Sequence, residues 1–234
     1  MREWTLEGEI EEIAGAPPGS GIYVALRMLG VEHLEAIKSV RIIRPWERLG
    51  GETFIYEFAV DYKTEKSLHF VLKACVSTGY GSLTATMNEW VSRRRHLANL
   101  GVSTPRLYGF SRATLLEEYV PHELVEFLDH DDSASNRAQL LEGLARTGAI
   151  LQRSGYRLIS AHDWRTRGTD VVVVDFGSDL GSPGPAPDVH SQTNLVVIQQ
   201  GLLHHRVRLS TDEVSRLKGT FYLTLAEDYT HVED

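Results

Sequence analysis

Four side chains in the middle and later parts of the chain are of types that could handle a phosphorylated ligand. Lys73 lies inside the apolar run HFVLKAC, and Glu89 follows in MNEWVSRRRHL. A carboxylate can pair with an ammonium and hold it ready for a phosphate. Asp163 and Asp175 come later, in AHDWR and in VVVVDFG. A carboxylate at a strand end suits a Mg²⁺ that bridges nucleotide phosphates, and an upstream carboxylate could accept a hydroxyl proton.

A glycine pair precedes these four residues. Gly50 and Gly51 fall between two strand-like runs, where glycines let backbone N–H groups come close to a phosphate. Gly-Gly turns between strands are also common for steric reasons alone. In the same way, Lys73 could snorkel at a sheet edge, and Glu89 could be a solvated helix charge. Each feature alone is weak, and their order along the chain is the more specific signal.

Hydrophobic periodicity indicates the elements that must position these residues. Five strands are predicted, in SVRIIR, FIYEFAVDY, LHFVLKACV, PRLYGFS and TLLEEYV. A helix is expected over about 84–100, between the third and fourth strands, because Trp90 and Leu97 recur at helical spacing and Gly101 stops it. The fold class is therefore α+β, with an antiparallel five-stranded sheet first.

The sequence pattern of the second half of the chain predicts mostly helices. Helical periodicity covers about 137–153, 191–203 and 210–228, and an exposed loop is expected over 129–136. One short strand, the valine run, ends at Asp175. The join between the sheet part and this compact helical part falls near EEYVPH.

Composition limits the class of protein. The 234 residues suit one large domain or two small lobes, and the net charge of −8 argues against non-specific nucleic-acid binding. Short basic runs such as Arg93–Arg95 are more typical of a solvated face. The single cysteine, Cys75, excludes an intrachain disulfide and fits a cytoplasmic setting. No apolar run reaches membrane-spanning length, and no signal-peptide layout is found, so no membrane partner is expected.

The order of glycine turn, strand lysine, helix glutamate, upstream aspartate and Asp-Phe-Gly resembles the protein-kinase-like superfamily over about residues 38–205. NEWVSRRRHLANLGVSTPRLYGF followed by TLLEEYVP is similar to aminoglycoside and choline phosphotransferases. DVHSQTNLVVIQQGLLHH is similar to the helix after Asp-Phe-Gly in RIO-type and KEOPS-type kinases. The resemblance implies a two-lobed fold, with an N-lobe at residues 1–120 and a minimal helical C-lobe at 121–234.

The resemblance also implies a nucleotide site for ATP. In that site Gly50 and Gly51 would cover the triphosphate, and Lys73, oriented by Glu89, would hold the α and β phosphates. The hinge strand would line the adenine pocket through the backbone of three residues: Glu118, Tyr119 and Val120.

The implied chemistry is transfer of the γ-phosphate to a hydroxyl. Asp175 would bind Mg²⁺, helped by Asp170, and Asp163 would position and deprotonate the acceptor. The acceptor could be a small molecule, an RNA hydroxyl or a protein Ser or Thr. A small-molecule acceptor fits the phosphotransferase-like patterns, and an RNA acceptor fits the arginine runs and the short C-lobe. A protein acceptor is least favoured, since no long activation segment follows the Asp-Phe-Gly.

The chain departs from the family motif in three ways, the first being His162 before Asp163, where Arg or Gly is usual. The motif has a metal-binding Asn five residues after the catalytic Asp, and this chain has Gly168 there. The span from Asp163 to Asp175 is also shorter than in typical kinases, where a hairpin intervenes. Asp163 could instead occupy the Asn role, which would leave no catalytic Asp upstream. The missing Asn leaves open a pseudokinase, a nucleotide-binding interaction module without turnover.

Overall fold

The computed structural model describes eight stretches of the chain, at residues 33–49, 53–75, 83–110, 114–130, 134–158, 164–176, 180–181 and 193–227. They fall into two compact units. The sheet unit contains the chain up to Val91 and returns for Pro105–Tyr119. The helical unit contains Ser92–Thr104 and the chain from Val120 onward.

The sheet unit is built on a five-stranded antiparallel sheet, as predicted from the alternation of apolar residues. After a 3₁₀ turn at Leu34–Ala36, its strands are β1 (Ile37–Leu49), β2 (Thr53–Tyr62), β3 (Ser67–Cys75), β4 (Leu107–Phe110) and β5 (Thr114–Glu118). Their spatial order is β1-β2-β3-β5-β4. β3 therefore lies in the centre, between β2 and β5.

The two faces of this sheet differ in chemistry because side chains alternate along each strand. One face carries an apolar cluster in which Phe58 and Phe70 stack with ring centroids 5.4 Å apart. On the opposite face, the register aligns Glu57, Val71 and Glu117 in one row and places Lys73 in the next. Residues on both faces are buried, so the charged side chains of the second face, Glu57, Lys73 and Glu117, are shielded from water.

Helix α1 (Leu83–Asn99) follows β3 and confirms the helix predicted over 84–100. Trp90 and Val91 pack with Leu115 in the sheet unit. From Ser92 onward the helix belongs to the helical unit, where Leu97 joins the core. It ends as the glycine signal predicts: Gly101 takes a φ of +88°, and the Val102 amide donates to the Leu97 carbonyl.

The helical unit contains four helices and five short strands among its described residues. The helices are α2 (Leu124–His130), α3 (Ala134–Arg153), α4 (Asn194–His204) and α5 (Thr211–Ala226). The strands are β6 (His122–Glu123), β7 (Arg157–Leu158), β8 (Trp164–Arg167), β9 (Asp170–Val173) and β10 (Leu180–Gly181). They form a three-stranded sheet, β6-β8-β9, and a two-stranded pair, β7-β10.

The loop predicted over 129–136 is wrong at both ends. α2 runs to His130, and α3 begins at Ala134, three residues before the predicted start. The polar sequence DHDDSASN does not indicate these helix ends, because Ser, Asn and Asp are common both in turns and in first helical turns. Residues 131–133 lie outside the described part of the chain.

Helix α3 is the centre of the helical core. Leu140, Leu144 and Leu151 are buried along it, and Gly148 lies where α4 and α5 contact it, near Ile198 and Phe221. Asn194, at the start of α4, is almost fully buried and links three elements. Its side chain accepts from the Leu158 amide and donates to the Gly148 and Tyr156 carbonyls, so its polar groups are satisfied inside the core.

A tight hairpin precedes Asp175. β8 and β9 pair antiparallel across the two residues Gly168 and Thr169, and Gly168 has a φ of +60°. A two-residue hairpin with glycine first allows this conformation without steric cost. The span between Asp163 and Asp175, although shorter than in typical kinases, thus contains a hairpin.

Among the helices that the structure describes, none is both long and apolar enough to cross a membrane.

Candidate functional site

Lys73 is a buried cation in the middle of the sheet. Its residue is only 6% exposed, although the strand around it is apolar. Its ammonium lies 2.7 Å from Glu117 Oε1, on the neighbouring strand β5. Val71 is the direct cross-strand partner of Glu117, so Lys73 reaches it diagonally along the same face. A snorkelling lysine at a sheet edge is therefore excluded, because β3 is central and the side chain is buried.

Glu117 is as deeply buried as Lys73 and is incompletely satisfied. It is 2% exposed, and its second carboxylate oxygen, Oε2, has no hydrogen-bond donor. A buried acceptor without a donor costs about 1–3 kcal/mol, more when it is charged. The sheet unit thus holds a strong cation next to an acceptor that a bound molecule or a water could satisfy.

A second buried carboxylate lies on the same face. Glu57 is 7% exposed and is aligned with Val71 in the register between β2 and β3. Its Oε1 lies 3.6 Å from Arg44 Nη1, an arginine that is about half exposed. The face therefore places two carboxylates around Lys73, one of them linked outward to a solvated guanidinium.

Glu89, the predicted partner of Lys73, lies on α1 and is exposed. Lys73 forms an ion pair with a different carboxylate, Glu117. The orientation of Lys73 by Glu89 stays a prediction.

The predicted hinge residues are tied into the sheet unit through their amides. The Glu118 amide donates to the Arg106 carbonyl at 2.9 Å, and its carboxylate accepts from the Arg106 amide. The Tyr119 amide donates to the His69 carbonyl at 3.1 Å. Val120 is buried. Two of the three amides therefore serve strand pairing, and the adenine role of this segment stays a prediction.

Asp175 lies two residues after β9 and is half-buried. The three valines of that strand, Val171, Val172 and Val173, are buried. Phe176, directly after Asp175, is 2% exposed and belongs to the helical core. Asp175 thus lies just beyond a largely buried apolar strand, and its role as a Mg²⁺ ligand stays a prediction.

Asp170 occupies the opposite end of the same strand. It opens β9 and is exposed, whereas Asp175 lies two residues past the strand's last residue, Val173. A four-residue extended strand spans about 10 Å between its ends, so the two carboxylates start from well-separated backbone positions. This geometry favours different roles for them over a shared ion.

Three predicted site residues, Gly50, Gly51 and Asp163, lie outside the described residues. Over the part of the chain that is described, no group of three or more His, Cys, Asp or Glu side chains is placed to hold a metal ion.

Sequence reasoning missed two buried polar residues that shape these sites, Glu117 and Arg93. Glu117 occupies the same phase of β5 as the buried Leu115, so its position in the alternation indicated burial. Arg93 is three residues after Trp90 and four before Leu97, which places it on the apolar stripe of α1. Arg93 and Arg94 are both buried, and only Arg95 of this run is exposed. The solvated-face interpretation of the run is thus wrong for its first two members.

Comparison of the chain with protein-family models and with curated proteins finds no match.

Proposed function

We propose that the protein is an ATP- and Mg²⁺-dependent phosphotransferase of kinase-like, two-lobed fold that transfers the γ-phosphate to a hydroxyl acceptor. The observation that carries the proposal is the buried ammonium of Lys73, 2.7 Å from Glu117 Oε1 in the centre of an antiparallel sheet. Burying a lysine is costly unless an anion accompanies it. Here Glu117 is the anion that offsets the cost of burying Lys73. We propose that the same ammonium can also bind a second anion, such as the phosphates of a nucleotide.

In this proposal Lys73 binds the α and β phosphates. Glu117 holds the ammonium in place until the nucleotide arrives, through the contact of 2.7 Å between Lys73 Nζ and Glu117 Oε1. Kinase-like enzymes use a helix glutamate for this purpose. Here β5 supplies a carboxylate, Glu117, in contact with the ammonium, and Glu89 remains a proposed second partner in the nucleotide-bound state.

Asp175 is the proposed Mg²⁺ ligand. Mg²⁺ in such sites is commonly held by one or two carboxylates, with phosphate and water oxygens completing its octahedron. A single half-buried carboxylate at a strand end fits this chemistry. The ion, when bound with nucleotide, neutralises charge on the transferred phosphate. Asp170 is left out of the proposed ligand set because of its distance along β9.

Asp163 is the proposed base that orients and deprotonates the acceptor hydroxyl, with Gly50 and Gly51 covering the triphosphate. These three roles rest on the family resemblance alone. The acceptor is a small-molecule or RNA hydroxyl, and the protein is proposed to act in the cytoplasm. Catalysis would come mainly from alignment and charge neutralisation, since phosphoryl transfer asks little covalent chemistry of the protein.

The test is Asp175→Asn, which keeps the shape of the side chain and removes its charge. Mg²⁺-dependent ATP turnover should fall by about 100-fold or more, as expected when a group that stabilises transition-state charge is lost. Asp129→Asn, an exposed carboxylate of α2, is the matched control and should retain wild-type turnover. Asp170→Asn, measured beside them, decides whether that residue contributes to metal binding.

Three outcomes separate the possible functions. Turnover by the wild type that Asp175→Asn abolishes supports the phosphotransferase. Saturable ATP binding by calorimetry, without turnover on any alcohol or RNA acceptor, supports a nucleotide-binding pseudokinase instead. An absence of ATP binding with Mg²⁺ present, or turnover that is unchanged in Asp175→Asn, refutes the proposal.

A further inference from the structure

Arg93 is a buried guanidinium that binds the backbone beside Asp175. It lies in the part of α1 that belongs to the helical unit and is 8% exposed. Its Nη1 donates to the Phe176 carbonyl at 2.8 Å and to the Leu180 carbonyl at 3.0 Å. Its Cζ lies 5.8 Å from the centroid of the Tyr156 ring. One side chain thus contacts three separate parts of the helical unit.

The backbone before Asp175 is held by the same region of the chain. The Val173 amide, two residues before Asp175, donates to the Ser103 carbonyl at 3.0 Å. Ser103 lies just after α1, ten residues beyond Arg93. The segment Ser92–Thr104 therefore fixes the chain on both sides of Asp175. A hydrogen bond from the Val173 amide to the Ser103 carbonyl holds it before Asp175, and the hydrogen bonds from Arg93 hold it after Asp175.

The hydrogen bonds from Arg93 are suited to fixing the positions of the two carbonyl groups that accept them. Hydrogen bonds from a charged donor are shorter and roughly twice as strong as neutral ones. The guanidinium is planar and rigid, so a nitrogen that meets two carbonyls also fixes the angle between them. The Phe176 carbonyl is one peptide unit away from the Asp175 side chain. A change in its position would therefore turn the carboxylate.

We propose that Arg93 is a positioning residue for Asp175: it fixes the backbone carbonyls of Phe176 and Leu180 so that the Asp175 carboxylate faces its metal. The inference rests on the proposed function of Asp175 as a Mg²⁺ ligand. It predicts that Arg93 acts on metal affinity and leaves nucleotide affinity in the absence of metal unchanged. A residue needed only for folding would lower stability without separating these two affinities.

The first experiment compares Arg93→Met, Arg93→Lys and the wild type in two titrations. Removal of groups that orient metal ligands commonly costs about 10- to 100-fold in metal affinity. We expect Arg93→Met to raise the Mg²⁺ concentration for half-maximal turnover about tenfold, while metal-free ATP affinity stays within twofold. Arg93→Lys keeps the charge and one short donor and should recover part of this loss. Arg146→Met, an exposed arginine of α3, is the control and should match the wild type.

The second experiment needs no activity. Backbone amide exchange over 174–181, measured without nucleotide or metal, should be faster in Arg93→Met than in Arg146→Met, with Arg93→Lys between them. If Arg93→Met does not fold, Arg93→Lys carries both measurements alone.

Unchanged exchange in the Arg93 variants refutes the inference whatever the activity. Faster exchange with an unshifted Mg²⁺ requirement also refutes it, because the backbone would then be loosened without consequence for Asp175. Wild-type protein that binds no MgATP would instead refute the proposed function on which the inference rests, and faster exchange would then show a purely structural tether.

Discussion

The sheet unit and the helical unit bury cations in different ways. Lys73 in the sheet unit lies against a carboxylate, Glu117 Oε1, whereas Arg93 in the helical unit donates to two backbone carbonyls. A carboxylate is an anion for which another anion can be substituted, and a main-chain carbonyl is a fixed dipole. The comparison teaches that burial of Lys73 is compensated by a full negative charge, while burial of Arg93 is compensated by main-chain carbonyls, which ties Arg93 to the backbone.

The other buried polar residues of the two units also differ in charge. Among the described residues, both buried carboxylates, Glu57 and Glu117, belong to the sheet unit. The buried polar groups of the helical unit that are not arginines are neutral, namely Thr147, Thr166, Asn194 and Thr224. Stability of the sheet unit should therefore depend on charge balance, and stability of the helical unit on packing.

The largest effect is expected from breaking the charge balance around Lys73. Lys73→Met leaves Glu117 buried without its cation, and removal of one partner of a buried pair typically costs about 3–5 kcal/mol. Glu117→Leu alone should be similarly costly. The double variant removes both charges and should recover most of the loss. Urea unfolding of the four proteins measures the coupling.

Additive losses in that cycle would contradict the comparison, because they would mean that the two charges contribute independently. ATP affinity measured on the double variant supplies a second readout. The double variant should fold but bind ATP poorly, since the proposed phosphate ligand is absent.

A smaller effect is expected from overpacking the helical unit at Gly148. A Cβ added there would lie 2.5 Å from Ile198 Cδ1, inside the contact of α3 with α4. Ile198 is fully buried, so its terminal methyl has little room to move aside, and the overpacking cost of about 1–3 kcal/mol should exceed the gain of up to about 1 kcal/mol in helix propensity. Gly148→Ala should therefore destabilise the protein by about 1 kcal/mol.

Gly219→Ala in α5 is the matched control, because nothing lies within 4 Å of the added methyl group. It should stabilise by up to about 1 kcal/mol through helix propensity. Melting temperatures of the two variants should shift in opposite directions. A gain in stability for Gly148→Ala would mean that the α3–α4 contact is looser than described.

The smallest effect is expected from an exposed ion pair of the sheet unit. Arg41 Nε donates to Asp61 Oδ2 at 2.6 Å, and this bond lowers the pKa of Asp61 well below its usual range, with help from Ser67 and Ser39 and against partial burial. A carboxyl whose pKa falls on folding stabilises the protein above its unfolded pKa, about 3.9. That contribution is lost as the pH falls through the lower, folded value.

Asp61→Asn should therefore be slightly less stable than the wild type at pH 7 and should lose this difference in acid below about pH 3. Because solvent and salt screen the pair, the difference should also shrink in concentrated NaCl. A deficit that grew on acidification would give the wrong sign for this pair. Denaturation midpoints at several pH values provide the measurement.

The regular elements followed from sequence wherever one periodicity dominated. β2 carries an apolar residue at every second position over 54–62, and α1 combines a Trp90–Leu97 stripe with Gly101 as its stop, so both were predicted closely. The start of α3 was missed because Ala134, Ser135 and Asn136 suit a loop equally well. The β8–β9 hairpin was missed because its turn is only two residues long.

Prediction of the site was less complete, because pairing across a sheet depends on register. The placement of Lys73 inside a strand and of Asp175 just after one was readable from the apolar runs around them, and their phosphate and metal roles stay predictions. The choice of Glu117 as the partner of Lys73 depends on the offset of β5 against β3, which no local pattern specifies. Arg93 was assigned to the surface because an arginine run was judged by its charge instead of by its place on the helical stripe.

Neither unit is a single continuous piece of chain. Ser92–Thr104 supplies Leu97, Val102, Arg93 and Ser103 to the helical unit, although Pro105–Tyr119 returns to the sheet. A fragment that began at Val120 would lack these core groups and would expose the apolar surface that they cover. Anyone who wishes to produce the helical unit alone would need to join residues 92–104 to it by a linker, for example by circular permutation.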